Sequence, residues 1–416
     1  MGKKNCLVIG GGILGLSVAY YLHKDGHQVT VIDKSEMADG ASYVNAGYLT
    51  PSHIIPIAAP GVMRKGLKWM FNPASPLFIK PSLNPDFLKW TMAFNKSCNA
   101  EHVARSAPAI RDINLLSQEL YADIKEDENF SFQLEKKGLL MLCNTASTLE
   151  EESKVAQMAV AEGLPAKVLT AAEVKNMMPD ANMKIEGATY YACDNHTTPH
   201  EFMTEMKSYL ERNGVQILKN TEVTEIKTVR GTITGLMTGK DFHGCDEVVL
   251  CAGSWSAILA KKIGLRLLLQ AGKGYSINKK EATGISVPSI LAEAKVAITP
   301  MNGFTRFAGT MEIAGQNENI SRMRVEAIAG AVQRYFPKVE VSREERNNAT
   351  CGLRPVSPDG MPYIGRSAKC SNLTIATGHA MMGWSLGPAT GLLVSEIIGN
   401  RRTSLNLDLY HPDRKF

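Results

Sequence analysis

The chain has 416 residues, 44% of them hydrophobic and 21% charged, the balance of a soluble globular protein long enough for two ordinary domains. A net charge of +5 without any Lys/Arg-rich run argues against a nucleic-acid partner, and no run of about 18 apolar residues is present to span a bilayer. Eight cysteines stand at positions 6, 98, 143, 193, 245, 251, 351 and 370, none in a CxxC pair or beside histidine at ligand spacing, so neither a metal nor an iron–sulfur cluster is expected. Unpaired thiols in a chain of this size fit a reducing cytoplasm.

The N-terminus, MGKKNCLVIGGG, sets a basic pair before apolar residues, but glycines 10–12 interrupt the run too early for a signal peptide. A buried first strand over 6–9 is expected instead. It leads into Gly10-Gly11-Gly12-Ile13-Leu14-Gly15, a GxGxxG, after which Leu14, Val18, Ala19 and Leu22 recur at helical spacing up to a capping Gly26. A second apolar strand over 29–32 ends at Asp33. Strand, glycine turn, helix, strand and acid within about thirty residues make a dinucleotide-binding unit. Gly10 permits the tight turn, Gly12 lets a pyrophosphate approach the backbone, and Gly15 lets the helix sit close to the sheet. The helix N-terminus offers unpaired N–H groups and partial positive charge to phosphate. Asp33 can accept hydrogen bonds from a ribose diol and would repel a 2′-phosphate, which argues against NADP. The motif by itself does not separate NAD from FAD.

Further along, 40–48 (GASYVNAGY) is a small, polar loop, and 132–142 is strand-like. A helix is expected over 199–213, with Pro199 near its start, then strands at 216–218, 222–228 and 232–238. The run 247–250 is a buried strand leading to Cys251-Ala252-Gly253-Ser254-Trp255. A strand over 305–313 and a helix over 321–335 precede GLRPVSPDG at 352–360 and ATGHAMMGW at 376–384. There is no internal repeat or low-complexity tract.

In this order and separation, these segments resemble the D-amino acid oxidase/glycine oxidase superfamily of FAD-dependent oxidoreductases over nearly the whole chain. NAGYLTPSHIIPIAAPGVMRKGLKWMF, GLRPVSPDGMP and GHAMMGW are similar to its bacterial D-amino acid dehydrogenase branch. The resemblance implies an α/β fold: a Rossmann-like FAD-binding domain from 1–50, 196–263 and 346–416, and a discontinuous α+β substrate domain, an antiparallel sheet plus helices, from 51–195 and 264–345. It implies that Gly10, Gly12, Ile13, Leu14 and Gly15 meet the pyrophosphate, and that Asp33 and Lys34 meet the adenosine. Val223 would touch adenine through its backbone, and Ala252, Gly253 and Trp255 would sit beside the phosphate and ribitol. Ser42, Asn45, Ala46, Gly47 and Tyr48 would line the flavin. Gly378, Gly383, Trp384 and Ser385 belong to a turn and helix start that would aim a positive helix end at the flavin pyrimidine ring and stabilise the reduced form. His379 in that turn is read as structural.

The activity implied is oxidative deamination of D-amino acids: hydride passes from Cα to flavin N5, and the imino acid is hydrolysed to a 2-oxo acid and ammonia. Arg354 would hold the substrate carboxylate through its guanidinium fork, with Arg306 as the rival. Tyr275 is either a second carboxylate contact or a core tyrosine with its hydroxyl satisfied, and Lys273 either lies near the flavin or is solvated. Met381 stands where glycine oxidases tend to carry an arginine, which turns the expectation towards larger D-amino acids or cyclic imino acids such as D-proline and hydroxy-D-proline. The last would give a cyclic imine. A soluble amino acid oxidase, a flavin module acting on a tRNA modification and a non-catalytic flavin subunit are the other readings.

The segment 57–94 carries Trp69, Phe71, Phe78, Phe87 and Trp90 beside Arg64, Lys65, Lys68, Lys80 and Lys89, the composition of an interfacial membrane anchor. The same residues could instead pack inside the substrate domain, and prolines at 73, 76, 81 and 85 prevent one long helix. With related dehydrogenases thought to feed a respiratory chain, quinone is the expected acceptor, at the inner face of the cytoplasmic membrane.

Overall fold

A computed structural model describes residues 2–63 and 75–416. Arg64, Lys65, Lys68, Trp69, Phe71 and Pro73 of the anchor expectation lie outside the described residues.

The N-terminal apolar runs build a six-stranded sheet in the order Gln216–Leu218, Gln28–Ile32, Asn5–Ile9, Glu247–Leu250, Leu373–Thr377, Tyr363–Arg366. Its first five strands are parallel and the last is antiparallel. Both faces are covered, which is why the strands read as unbroken apolar runs rather than alternating ones. Val8 and Val31 face one core, while Leu7, Ile9 and Ile32 face another. Helices Ile13–Lys24, Pro199–Arg212, Ala100–Asp127 and Gly387–Ile398 contribute to the first core. An antiparallel sheet of Glu225–Val229, Thr232–Thr238 and Asp241–Gly244 covers the second. Gly391 explains how the last helix reaches the first: a methyl group there would lie 2.5 Å from the Ser17 carbonyl oxygen. The two helices therefore meet backbone to backbone, and the C-terminal segment closes on the glycine turn.

A nine-stranded sheet forms the other half of the molecule, in the order Thr350–Val356, Gln270–Lys279, Phe304–Ile313, Val296–Met301, Ser289–Leu291, Leu139–Cys143, Gly187–Tyr191, Ala166–Thr170, with Leu77–Ile79 beside Phe304–Ile313. Most pairings are antiparallel, but Ser289–Leu291 runs parallel to Leu139–Cys143, and Leu77–Ile79 parallel to Met311–Ile313. Helix Arg322–Tyr335 packs on this sheet through Val325, Ile328 and Val332. A small sheet of Tyr48–Leu49, Asn195–Thr197 and Leu134–Glu135 joins the two halves.

Three expectations shift. The strand expected at 222–228 begins at Glu225, because Asn220 and Thr221 first donate backbone hydrogen bonds to the Ser35 and Asp33 carbonyls at 3.0 and 2.7 Å. The run 132–142 is split at Gly138, whose φ of +70° and amide bond to the Asp194 carbonyl turn the chain between two strands. Strand Thr350–Val356, which the expected boundary at 346 assigns to the FAD portion, is an edge of the nine-stranded sheet.

Trp90 corrects the anchor expectation where it can be seen. It is buried, its indole N–H donates to the Val356 carbonyl at 2.9 Å, and its ring stacks on Phe94. Phe78 lies beneath the Arg324 guanidinium and Phe87 is half-buried. The exposed residues of this stretch include Leu83, Leu88 and Met92 with Lys80 and Lys89. No helix among the described residues is long and apolar enough to cross a membrane.

Candidate active site

The carboxyl ends of the parallel strands open on a cavity of about 520 Å³ that runs from the glycine turn to the edge of the nine-stranded sheet. At one end, Gly10 has a φ of +103°, and a Cβ there would meet the Cys251 carbonyl at 2.6 Å. A Cβ on Gly15 would fall 1.8 Å from the Gly10 carbonyl oxygen, so only glycine lets the helix start against the turn. Gly12 is different in kind: its nearest neighbour would be the Ser42 hydroxyl at 3.0 Å, leaving its cavity side open. Ile13 donates its amide to Ser42 Oγ at 2.9 Å, so Ser42 caps the helix from the neighbouring loop.

Asp33 ends its strand at the cavity wall. One carboxylate oxygen accepts from the Gly11 amide at 2.7 Å, and the other from the Ser35 amide at 2.8 Å and hydroxyl at 2.7 Å. The oxygen on Gly11 keeps one lone pair for a hydroxyl partner, while Ser35 engages both lone pairs of the other. The Lys34 ammonium stands 3.8 Å from the centre of the Trp255 ring, closing this end with a cation–π contact. Val223, Ala252 and Gly253 line the same stretch.

The loop 41–47, which opens with the short helix Ala41–Val44, runs along the middle. Asn45 holds it together, donating to the Ala41 and Ser42 carbonyls and accepting from the Gly47 amide. Ser42 and Asn45 face the cavity, but Ala46, Gly47 and Tyr48 do not. Gly47 packs where a Cβ would lie 2.2 Å from the Thr197 carbonyl, the Ala46 carbonyl accepts from Thr299, and the buried Tyr48 hydroxyl donates between the Ser289 and Ile298 carbonyls. These residues fix the loop from behind. Likewise Gly383 and Trp384 line the cavity, whereas Gly378 packs on Tyr363 and Ser385 donates to Asn114 and accepts from the Thr50 amide. The helix expected near Ser385 starts at Gly387, with Pro388 in its first turn. His379 is fully buried beside Thr390, and desolvation lowers its imidazole pKa to about 3, so the ring is neutral.

At the far end stands Arg354, half-buried on strand Thr350–Val356. Burial lowers its guanidinium pKa to about 10, which leaves it charged at neutral pH. One N–H donates to the Thr310 carbonyl at 2.8 Å, and among the described residues no carboxylate pairs with it. Its rival is corrected. Arg306 does not line the cavity; it donates to the carbonyls of Tyr43 and Asn45 and to Asn278 Oδ1, because its strand faces the back of the loop. Tyr275 lines the cavity wall, but its hydroxyl donates its only proton to Glu312 at 2.7 Å and has none for a carboxylate. Lys273 is buried, with its ammonium on Asn317 and the Asn319 carbonyl. Met381, 59% exposed, forms part of the rim, as does Glu318.

The sequence reading did not single out Thr310, Met37 or Glu318. Met37 lies across the bare α-carbon of Gly11, a contact that no motif announces. Thr310 acts through its backbone, so its residue type carries no signal.

The sequence pattern of the "FAD dependent oxidoreductase" family matches residues 5–397. A D-amino acid dehydrogenase of Helicobacter pylori is 31% identical over 98% of both chains, and one of Allorhizobium ampelinum 29% over 97% of this chain and 96% of the relative. The crystal structure of glycine oxidase from Geobacillus kaustophilus superposes with a TM-score of 0.79 at 21% identity over 100% of each chain, a likeness of fold. The bare turn at Gly10 and Gly15, the free lone pair of Asp33 and the open side of Gly12 fit the adenosine and pyrophosphate of the cofactor that this family uses. The chain belongs to the FAD-dependent oxidoreductase family.

Proposed function

We propose that the chain oxidises the amine of D-amino acids and passes the electrons to a carrier other than oxygen. The observation that carries this reading is Arg354: a cavity-facing guanidinium without a carboxylate partner among the described residues, in a chain whose relatives are D-amino acid dehydrogenases. A substrate carboxylate supplies the missing charge, and the fork fixes Cα as well as binding it. When bound, the flavin supplies the two-electron acceptor for the hydride leaving Cα. The amine must lose its proton before that step. Tyr275 has its proton engaged with Glu312, and the buried His379, its pKa lowered to about 3, is too weak a base, so the ammonium proton goes to solvent as the substrate enters. The binding wall therefore acts by orientation and exclusion of water, and the imine is hydrolysed by solvent water to a 2-oxo acid and ammonia after it leaves the cavity. In this reading Gly12, Ile13 and Leu14 hold the pyrophosphate, Asp33 the ribose and Val223 the adenine. FAD binding is drawn from 1–50, 196–263 and 346–416, and substrate binding from 51–195 and 264–345, to which strand Thr350–Val356 adds Arg354.

The apolar, exposed Met381 leaves the rim open to a side chain or ring. Leu83, 92% exposed, and the exposed Leu88, Met92, Lys80 and Lys89 combine apolar and basic character in one stretch of sequence, which supports contact with an anionic membrane surface and quinone as the acceptor. A panel of D-amino acids, D-proline and hydroxy-D-proline, added to the purified holoprotein under argon, tests the reading through bleaching of the yellow colour. Ammonia release separates open-chain substrates from cyclic ones. Bleaching by L-amino acids alone, or by none, refutes it. Flotation with anionic liposomes and faster turnover with a quinone analogue than with oxygen test the acceptor.

A further inference from the structure

Arg354 is aimed by an irregularity in the sheet beneath it. Strand Gln270–Lys279 pairs Lys273 with Glu312 and Tyr275 with Gly309, so Gly274 alone stands opposite Thr310 and Met311. This is a β-bulge. Its left-handed position is held by Thr310, with a φ of 68°, a conformation that a β-branched residue rarely takes and that glycine usually fills. The turned backbone points the Thr310 carbonyl out of the ladder and onto Arg354 Nη1. On the other side, Gly272 pairs with Arg354 and Gly274 with Gly352, which brings the arginine side chain diagonally over Gly274. A Cβ built on Gly274 would lie 2.1, 2.2 and 2.3 Å from Nη2, Nη1 and Cζ of Arg354. The flat guanidinium thus rests on bare backbone, where even a methyl group would occupy its place. Gly274 has no positive φ to account for its residue type, so space for the arginine is the requirement that the structure makes visible.

We propose that Gly274 is a positioning residue for substrate recognition: its bare α-carbon seats the Arg354 guanidinium, the Thr310 carbonyl holds one edge, and the remaining N–H groups are left directed at the substrate carboxylate. This rests on the reading of Arg354 as the carboxylate-binding group. An alanine at 274 lifts or swings the guanidinium, breaking the two-point contact while leaving the glycine turn and the loop 41–47 unchanged.

The test compares Gly274→Ala, Arg354→Leu and the double variant as holoproteins, measuring FAD content, KM and the limiting rate of anaerobic reduction. The dissociation constant of propionate, a carboxylate without the amine, is read from its perturbation of the flavin spectrum or from its shift of the holoprotein Tm. Gly274→Ala is expected to keep full FAD and to raise KM and the propionate constant about tenfold, the loss of one charge-assisted hydrogen bond, with a far smaller change in limiting rate. Added to Arg354→Leu it should change neither constant further, because the seat acts only through the arginine. Equal effects in both backgrounds, or no effect of Gly274→Ala where Arg354→Leu alone weakens binding, overturn the proposal and leave the carboxylate reading standing. If Arg354→Leu leaves KM and propionate binding unchanged, the carboxylate reading falls and this inference with it. Should Gly274→Ala fail to fold, recovery of folded, yellow protein by adding Arg354→Ala supports the seat, and failure of that double variant overturns it.

Discussion

Arg306 Nη1 donates to the carbonyl oxygens of Tyr43 at 2.7 Å and Asn45 at 2.8 Å, tying a strand of the nine-stranded sheet to the loop that lines the middle of the cavity. Its burial lowers the guanidinium pKa to about 10, and among the described residues it has no carboxylate partner. Arg306→Leu would strand two carbonyls, at about 1–3 kcal/mol each. The expected outcome is weaker FAD retention and a lower Tm, with KM unchanged once FAD is saturating. A raised KM with full FAD content would instead return Arg306 to the substrate site.

The glycines of the turn separate into two kinds. Gly15→Ala places a methyl group 1.8 Å from the Gly10 carbonyl and should destabilise the apoprotein itself, by about 1–3 kcal/mol or more. Gly12→Ala puts its Cβ against only the Ser42 hydroxyl, so the apoprotein should remain within about 1 kcal/mol of the parent while retaining less FAD. Thermal unfolding of both apoproteins, with FAD content after reconstitution, checks the contrast.

Tyr275→Phe removes the donor to Glu312, a carboxylate that Arg324 also binds at 2.7 Å. A hydrogen bond to a charged group contributes about 1.5–3 kcal/mol, so stability should fall by that order. Binding of propionate should not change. A several-fold loss of propionate affinity without a fall in Tm would show that the hydroxyl serves the substrate.

Asp194 is buried, and desolvation raises its carboxyl pKa from 3.8 to about 7, although the Ser52 amide and hydroxyl donate to it. The folded protein therefore holds a proton that the unfolded chain gives up, and this group's contribution to stability is present below pH 4 and lost as pH rises through 7. The neighbouring His53, its pKa lowered by burial from 6.5 to about 4, acts in the opposite direction: its contribution is present above 6.5 and lost as pH falls through 4. The two partly cancel in the whole protein, so the difference between variants is the measurement. Relative to the parent, Asp194→Asn should gain stability steadily from about pH 4 to pH 7, by at most about 4 kcal/mol. Parallel Tm–pH curves for the two proteins would refute the shift.

The glycine turn, the strand that ends in Asp33 and the helix after them are legible because each is a local demand written in residue type. Only glycine tolerates the Gly10–Gly15 contact, and a doubly covered parallel strand must be apolar throughout. The family followed from motifs of the same kind, spread from residue 5 to the last helix. Tertiary structure decided what depends on residues far apart in sequence. Arg354 and Arg306 are both strand arginines, and sequence alone left them as rivals. Sheet register sends one over Gly274 into the cavity and the other behind the loop at Tyr43. Trp90 reads as an anchor or as core with equal ease until the Val356 carbonyl is found against its indole. Thr310 could not have been read at all, since its contribution is a carbonyl that every residue carries. What distinguishes it is a backbone angle imposed by a bulge across two strands some 35 residues apart, and that angle exists only once the sheet is formed.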